Sequence, residues 1–259
     1  MKIVPVNARV DDLDVDIQVE AHAMGIAAAQ YVTRILADAI ARKGHARVIF
    51  ATGTSQLPLF EALRTAVGVD WSRVEAFHMD EYLGLEPTHP ASFRAFLVTH
   101  LVEPLGIGAF HGIAHEPDAA QETMTHYVQR LQDQAVDLVC MGVGENGHLA
   151  FNEPAVADFE DPDDAKIVRL DDVSRLQQVG EGHFATLNDV PTHAITLTIP
   201  RLLDAEHVSV VVPEARKAEA IHRMLTGPIE NACPASILRT APYARLFLDH
   251  DAASRWLAS

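Results

Sequence analysis

Residues Met141–Pro154 read MGVGENGHLAFNEP and follow the apolar run Leu138-Val139-Cys140. Gly142, Gly144 and Gly147 stand at G-x-G-x-x-G spacing behind what reads as a strand, the layout of a dinucleotide-binding turn. The pattern then breaks. A dinucleotide site needs a helix straight after the third glycine and an acidic residue at the end of a second strand. Here Pro154 interrupts that helix, and the acidic residues of 158–164 fall in a loop. The polar groups that arrive instead suit proton transfer. His148 can move a proton near neutral pH without a large pKa shift. Glu153 can orient it or act as an acid, whereas Asn146 can donate and accept hydrogen bonds but cannot titrate. A glycine turn with an incidental histidine is the plainer alternative.

Working outward, apolar residues at Ile17, Ala21, Met24, Ala28, Tyr31 and Ile35 predict a helix over 16–42, with Gly44 as its stop. Further helices are predicted over 57–67, 91–102, 119–134, 214–225 and 250–258. Short β-branched or apolar runs predict strands in ARVIFATGTS, over 74–77, in VDLVCMG, and over 194–199, 207–212 and 245–249. Strands alternating with helices of ten or more residues imply a parallel or mixed sheet covered on both faces. No repeat or low-complexity linker divides the chain, so residues 1–259 are expected to form one domain. The acidic stretch ADFEDPDDAK, 157–166, reads as a mobile surface loop.

In open α/β sheets, ligands bind outside the carboxyl ends of the strands. Two more strand ends offer chemistry there. In FATGTSQLPLFEAL, the glycine and hydroxyls of Thr52-Gly53-Thr54-Ser55 lead into a helix whose free amides and dipole suit a phosphate. An ordinary turn with Ser55 as helix cap fits the same residues. In FHMDEYLGL, Asp80 and Glu81 follow a strand. A carboxylate partly desolvated there can be a general base with a raised pKa, and a solvated acidic turn is the alternative. His78 and His89 read as structural or surface residues.

The totals narrow the classes. Thirty-six acids against 20 bases give a net charge of −16, which argues against nucleic-acid or acidic-membrane surfaces. A small anion stays admissible, because local amides and one or two cations can hold it. Cys140 and Cys233 sit in or beside apolar segments and read as buried thiols rather than a disulfide or metal framework. The 14 histidines show no H-x-x-x-H set on a helix, so no metal and no cofactor is expected. No run approaches ~20 apolar residues and the N-terminus lacks a secretory layout. A cytoplasmic protein is expected.

ATGTS, FHMDEYLGL, GVGENGHLAFNEP, LLDAEHV followed by ARKAEAI, and CPASIL, in this order, resemble the glucosamine-6-phosphate deaminase family. That family shares its fold with the 6-phosphogluconolactonases. A lactonase would be expected to continue its Gly-His stretch with Ala-Ser-Leu-Phe-Pro; Ala150-Phe151-Asn152-Glu153-Pro154 resembles the deaminase side. The resemblance implies a single-domain, Rossmann-like, open and mostly parallel sheet with helices on both faces. It implies conversion of glucosamine 6-phosphate, or a close hexosamine phosphate, and water to fructose 6-phosphate and ammonium. In its terms Asp80 moves a proton between carbons 2 and 1. His148 assists ring opening, supported by Glu153 and Asn146. Thr52, Gly53, Thr54, Ser55 and Lys217 hold the phosphate, with Gly144 and Gly147 shaping the turn against the substrate.

Departures from the family pattern are also legible. Gln56 replaces a proline common after the phosphate-loop hydroxyls. The family's phosphate arginine has no clear counterpart, and SRLQQVGEGHFATLNDVP offers Arg175, Gln178 and His183 instead. Residues 155–169 do not match the segment that carries allosteric contacts in regulated members, so activation by an N-acetylated sugar phosphate is not expected. The expected partner is a small sugar phosphate. Family members range from monomers to hexamers, which leaves a homo-oligomer open. A 6-phosphogluconolactonase and a non-catalytic sugar-phosphate sensor stand as alternatives.

Overall fold

The apolar runs become the inner strands of one twisted sheet. The computed structural model describes residues 4–113, 117–170, 172–180, 182 and 184–259. Among these, the large sheet runs in spatial order through β1 (Val6–Val10), β2 (Leu13–Gln18), β11 (Ala244–Asp249), β10 (Ala205–Val212), β7 (Val136–Met141), β3 (Ala46–Phe50), β4 (Val74–His78) and β6 (Ala109–His111). Only the β1–β2 pair is antiparallel in it; every other neighbouring pair is parallel. A second, antiparallel sheet has the order β5 (Asp80–Tyr82), β9 (His193–Leu197), β8 (Ala165–Arg169). The helices are α1 (Ala21–Lys43), α2 (Leu57–Thr65), α3 (Phe93–Leu97), α4 (Glu103–Leu105), α5 (Ala120–Gln132), α6 (Asp172–Gly180), α7 (Ile199–Leu203), α8 (Ala218–Thr226) and α9 (His250–Leu257).

Strand periodicity splits the large sheet's side chains between two cores. Val48, Phe50, Leu138, Cys140, Val211 and Phe247 pack with α1 and α2 on one face. Ile49, Val139, Met141, Val210, Val212, Leu246 and Leu248 pack on the other, with α5, α8 and α9 and with Ile195 and Leu197 of β9. Strands covered on both faces read as continuous apolar runs rather than alternating ones, and β7 is buried along its whole length. The small sheet has its own core of Tyr82, Leu85, Ala91, Val168, Leu170, Phe184, Val190 and Ala194.

Several local expectations are corrected. Residues 16–18 are strand, not helix, and α1 starts at Ala21. Leu13, Val15 and Ile17 alternate into the core, so Ile17 falls into register with the helix behind it only by coincidence. Gly44 does end α1, in the left-handed region at φ 83 with its N–H on the Ile40 carbonyl. Asp80 and Glu81 open β5 rather than a turn. Ala165 and Lys166, read as loop, open β8 against β9. Ile199 begins α7 rather than ending a strand, because the Thr198 hydroxyl accepts from the Arg201 N–H and Pro200 follows in the first turn.

The topology fixes where a ligand can sit. From β3 the chain builds outward through β4 to β6, then returns to place β7 on the other flank of β3 and continues through β10 to β11. The strand order therefore reverses between β3 and β7, and the loops after them diverge to leave a crevice. The loop after β3 runs into α2, which packs closely on α1: a Cβ built at Gly25 would collide with the carbonyl of Pro58. Gly25→Ala is expected to cost about 1–3 kcal/mol of stability by forcing the helices apart, against the gain of up to about 1 kcal/mol in helix propensity. Urea unfolding reads the sign.

Candidate active site

A cavity of about 230 Å³ opens at the carboxyl ends of β3 and β7. One end is built by residues 52–56. Gly53 has φ 98, which a β-carbon disfavours. The helical turn Thr54–Gln56 runs directly into α2, and neither start has a side-chain cap. Ser55 is therefore not a cap, and uncapped amides of this helical start remain for a ligand at the cavity. Gln56 turns away from solvent and donates to the Val211 carbonyl at 3.3 Å. Lys217, 8% exposed, and Arg216 reach the same cavity from the segment before α8.

The loop after β7 presents His148. Its imidazole lies where a Cβ on Gly144 would be, so only glycine fits beneath it. The His148 Nδ1 is 2.9 Å from Asn146 Oδ1 and 2.9 Å from Glu153 Oε1. The Asn146 amide nitrogen donates to Glu153 Oε2, which turns its oxygen toward the histidine. Asn146 Oδ1 also accepts the His148 backbone N–H at 3.0 Å. Two acceptors facing Nδ1 place the proton there and leave Nε2 as the ring's other proton-transfer atom. Glu153 and His148 line the cavity, whereas Asn146 and Gly147 are not on its wall. Gly147 turns the chain behind it at φ 91, with its carbonyl on the Ala235 N–H.

Asp80 enters from the small sheet. It is 6% exposed and lines the cavity, and its carboxylate accepts no hydrogen bond among the described residues. Burial, with the neighbouring Glu81 charge adding to it, holds its pKa well above the usual carboxylate range. The two loops are linked through β9: Thr196 pairs with Asp80 in the ladder, and its Oγ1 accepts the Phe151 N–H at 3.2 Å. Asn152 anchors the same loop, donating to the Leu149 and Leu197 carbonyls at 2.9 and 2.8 Å.

The structure thus brings Asp80, His148, Glu153, Thr52, Gly53, Thr54, Ser55, Lys217, Gly144, Arg175 and Gln178 to one cavity. Arg175 is largely occupied: Nη1 pairs with Asp172 at 2.9 Å, and Nη2 donates to the Leu187 and Val190 carbonyls at 2.7 and 2.9 Å. His183 lies outside the described residues. Arg216 was not foreseen. It pairs with Glu214 and Glu145 at 2.6 and 3.1 Å, and its place beside Lys217 was the available signal. The aromatic wall of Tyr82, Phe93 and Phe151 was also not foreseen; a single sequence does not show which loops converge. His78 is fully buried outside the cavity. Its Nε2 accepts the Ile113 N–H at 2.6 Å, and burial lowers its pKa to about 3. Both cysteines are buried. Among the described residues no helix is long and apolar enough to cross a membrane.

A raised acid pKa in the folded state means that stability is present below the unfolded value and lost as pH rises through the folded one. Asp80→Asn removes that loss. The variant is expected to melt above the wild type at pH 7, with the difference vanishing near pH 4, as read by Tm across pH.

Comparison with known proteins places these features among relatives. A family model described as glucosamine-6-phosphate isomerases/6-phosphogluconolactonase matches residues 20–246. The glucosamine-6-phosphate deaminase of Arthrobacter sp. is 33% identical over 232 residues, 85% of this chain and 86% of that protein. That of Exiguobacterium sibiricum is 36% identical over 207 residues, 79% of each. A solved monomeric glucosamine-6-phosphate deaminase superposes with a TM-score of 0.81 at 25% identity, covering 93% of this chain and 99% of that one. A 6-phosphogluconolactonase from Shewanella baltica gives 0.72 at 18% identity, covering 93% and 97%, a likeness of fold.

Proposed function

The chain belongs to the glucosamine-6-phosphate isomerase/6-phosphogluconolactonase family, and from that premise we propose that it is an amino-sugar-phosphate isomerase and deaminase. It converts glucosamine 6-phosphate and water to fructose 6-phosphate and ammonium. The observation that carries this reading is the pairing, in one cavity, of the unbonded Asp80 carboxylate with a histidine whose Nδ1 faces the Asn146 and Glu153 oxygens.

The phosphate sits on the amides and hydroxyls of residues 52–55, with Lys217 beside it. His148 Nε2 relays the proton between the anomeric hydroxyl and the ring oxygen, and Glu153 stabilises the imidazolium that forms. The opened sugar is an aldehyde with an amine on carbon 2. Asp80 takes the proton from carbon 2 while the carbon-1 oxygen is protonated through His148, giving an enolamine. Asp80 then delivers a proton, partly exchanged with solvent, to carbon 1, leaving an iminium on carbon 2; water adds there, ammonia leaves and its extra proton returns to His148. Carbon acids are weak, so a base held without donors and away from water gains proton affinity where it is needed. The stretch Ala150–Pro154 supports a deaminase over a lactonase, because it installs Glu153 on His148.

On this reading residues 1–259 work as one domain in the cytoplasm. A net charge of −16 agrees with a small-molecule substrate rather than a nucleic-acid partner.

Incubation with glucosamine 6-phosphate is expected to release ammonium, and in D2O to place solvent deuterium on carbon 1 of the product. Asp80→Asn is expected to lower kcat by about 10²–10⁴-fold while phosphate binding persists. Hydrolysis of 6-phosphogluconolactone without ammonium from any hexosamine phosphate would reassign the site.

A further inference from the structure

Glu81 follows the base directly, yet it has no place in the reaction described above. It is 2% exposed and its carboxylate is saturated. Oε1 accepts the Tyr82 N–H at 2.9 Å and the Phe93 N–H at 3.2 Å. Oε2 accepts the Ser92 hydroxyl and the Arg94 N–H, each at 2.9 Å. Ser92 in turn caps α3, its oxygen accepting the Ala95 N–H at 3.2 Å. Ser92 and Phe93 are cavity wall. One buried side chain therefore ties the strand that carries the base to the wall across from it.

Four donors offset part of the desolvation cost of a buried carboxylate. Burial raises the Glu81 pKa, and these bonds take back part of that rise. The contrast with Asp80 is chemical: adjacent carboxylates in one short strand, one given four donors and the other none. A fixed negative charge beside a bare carboxylate makes a proton on that carboxylate more favourable.

We propose that Glu81 is a positioning residue: its clamped carboxylate holds the base-bearing strand and the wall at residues 92–94 as one unit and sets a negative charge beside Asp80. This rests on the reading of Asp80 as the base. The other titratable or charged groups around Asp80 are Tyr127 of α5, His148 and Glu153 of the loop after β7, Arg175 of α6, and Arg216 and Lys217 before α8, while the Arg94 charge of α3 acts on His78. None of them is altered in the variants below, so a moved pH profile reports Glu81.

The test compares pH profiles of kcat/KM for ammonium release by the wild type, Glu81→Gln and Glu81→Asp. Glu81→Gln removes the charge, so Asp80 loses its proton more readily. The acid limb should move to lower pH by about one unit or more, and the plateau kcat should fall because the base is weaker. Glu81→Asp keeps the charge but withdraws it from the donors of residues 92–94; the limb should stay while KM rises several-fold. A merely structural glutamate would lower activity in both variants and leave both limbs unmoved, and that outcome overturns the proposal. Should Glu81→Gln fail to fold, Glu81→Asp still decides: a KM equal to the wild type's overturns the clamp. Failure of the underlying reading looks different, since wild-type enzyme would then place no solvent deuterium on carbon 1 and Asp80→Asn would retain activity.

Discussion

A carboxylate buried without a hydrogen-bond donor is the constraint around which this structure is arranged. Such a group is costly to hold ionised, and the fold meets the cost by bonding everything beside it. Where the chain leaves β4 for β5, Tyr127 accepts the His78 N–H and donates to the His78 carbonyl, at 3.0 and 2.5 Å. The Met79 carbonyl accepts the Leu197 N–H at 2.8 Å. Asp80 itself is in the ladder with Thr196. The backbone around the residue is held by sheet and side-chain bonds, and the side chain alone is left bare. A crossing between two sheets thereby becomes a rigid mount for the residue proposed as the base.

The opposite solution is used for the histidine. His148 is surrounded by partners, with Asn146 and Glu153 both committed to its Nδ1 side. Asn146, which cannot titrate, contributes orientation, and the carboxylate contributes charge. The end of the cavity proposed for the phosphate follows a third pattern, with an uncapped helical start and a nearly buried lysine in an otherwise acidic protein. Such a site would hold an anion by local geometry and not by net charge.

Much of this was legible in the sequence. The runs ending at Phe50, His78 and Met141 are buried on both faces, and such strands announce themselves by composition. The glycines at 53, 144 and 147 marked turns whose later residues carry chemistry. What escaped reading was set by long-range pairing. The β1–β2 hairpin was hidden because Ile17 also fits a helical register. The strands β5 and β8 are three and five residues long, too short for periodicity to separate from loop. Arg216, the Glu81 clamp and the wall from Tyr82, Phe93 and Phe151 depend on which loops meet, which a single sequence does not state.

Backbone strain follows the same geography. Among the described residues three that are not glycine have positive φ: Asp11, Ala150 and Glu214. Asp11 belongs to the tight turn between β1 and β2, an ordinary place for an aspartate in the left-handed region. The other two have no such excuse. Ala150, at φ 50, lies two residues after His148 and lines the cavity. Glu214, at φ 82, sits just before Arg216 and Lys217 and bonds the first of them. Each strained residue adjoins a side chain that the cavity needs, and each is held by neighbours: the Leu149–Asn152 bridge in one case, the Asp249 carboxylate on the Glu214 N–H in the other. Local rules are broken where the site is built and obeyed in the scaffold around it, as expected when folding and chemistry make competing demands on the same chain.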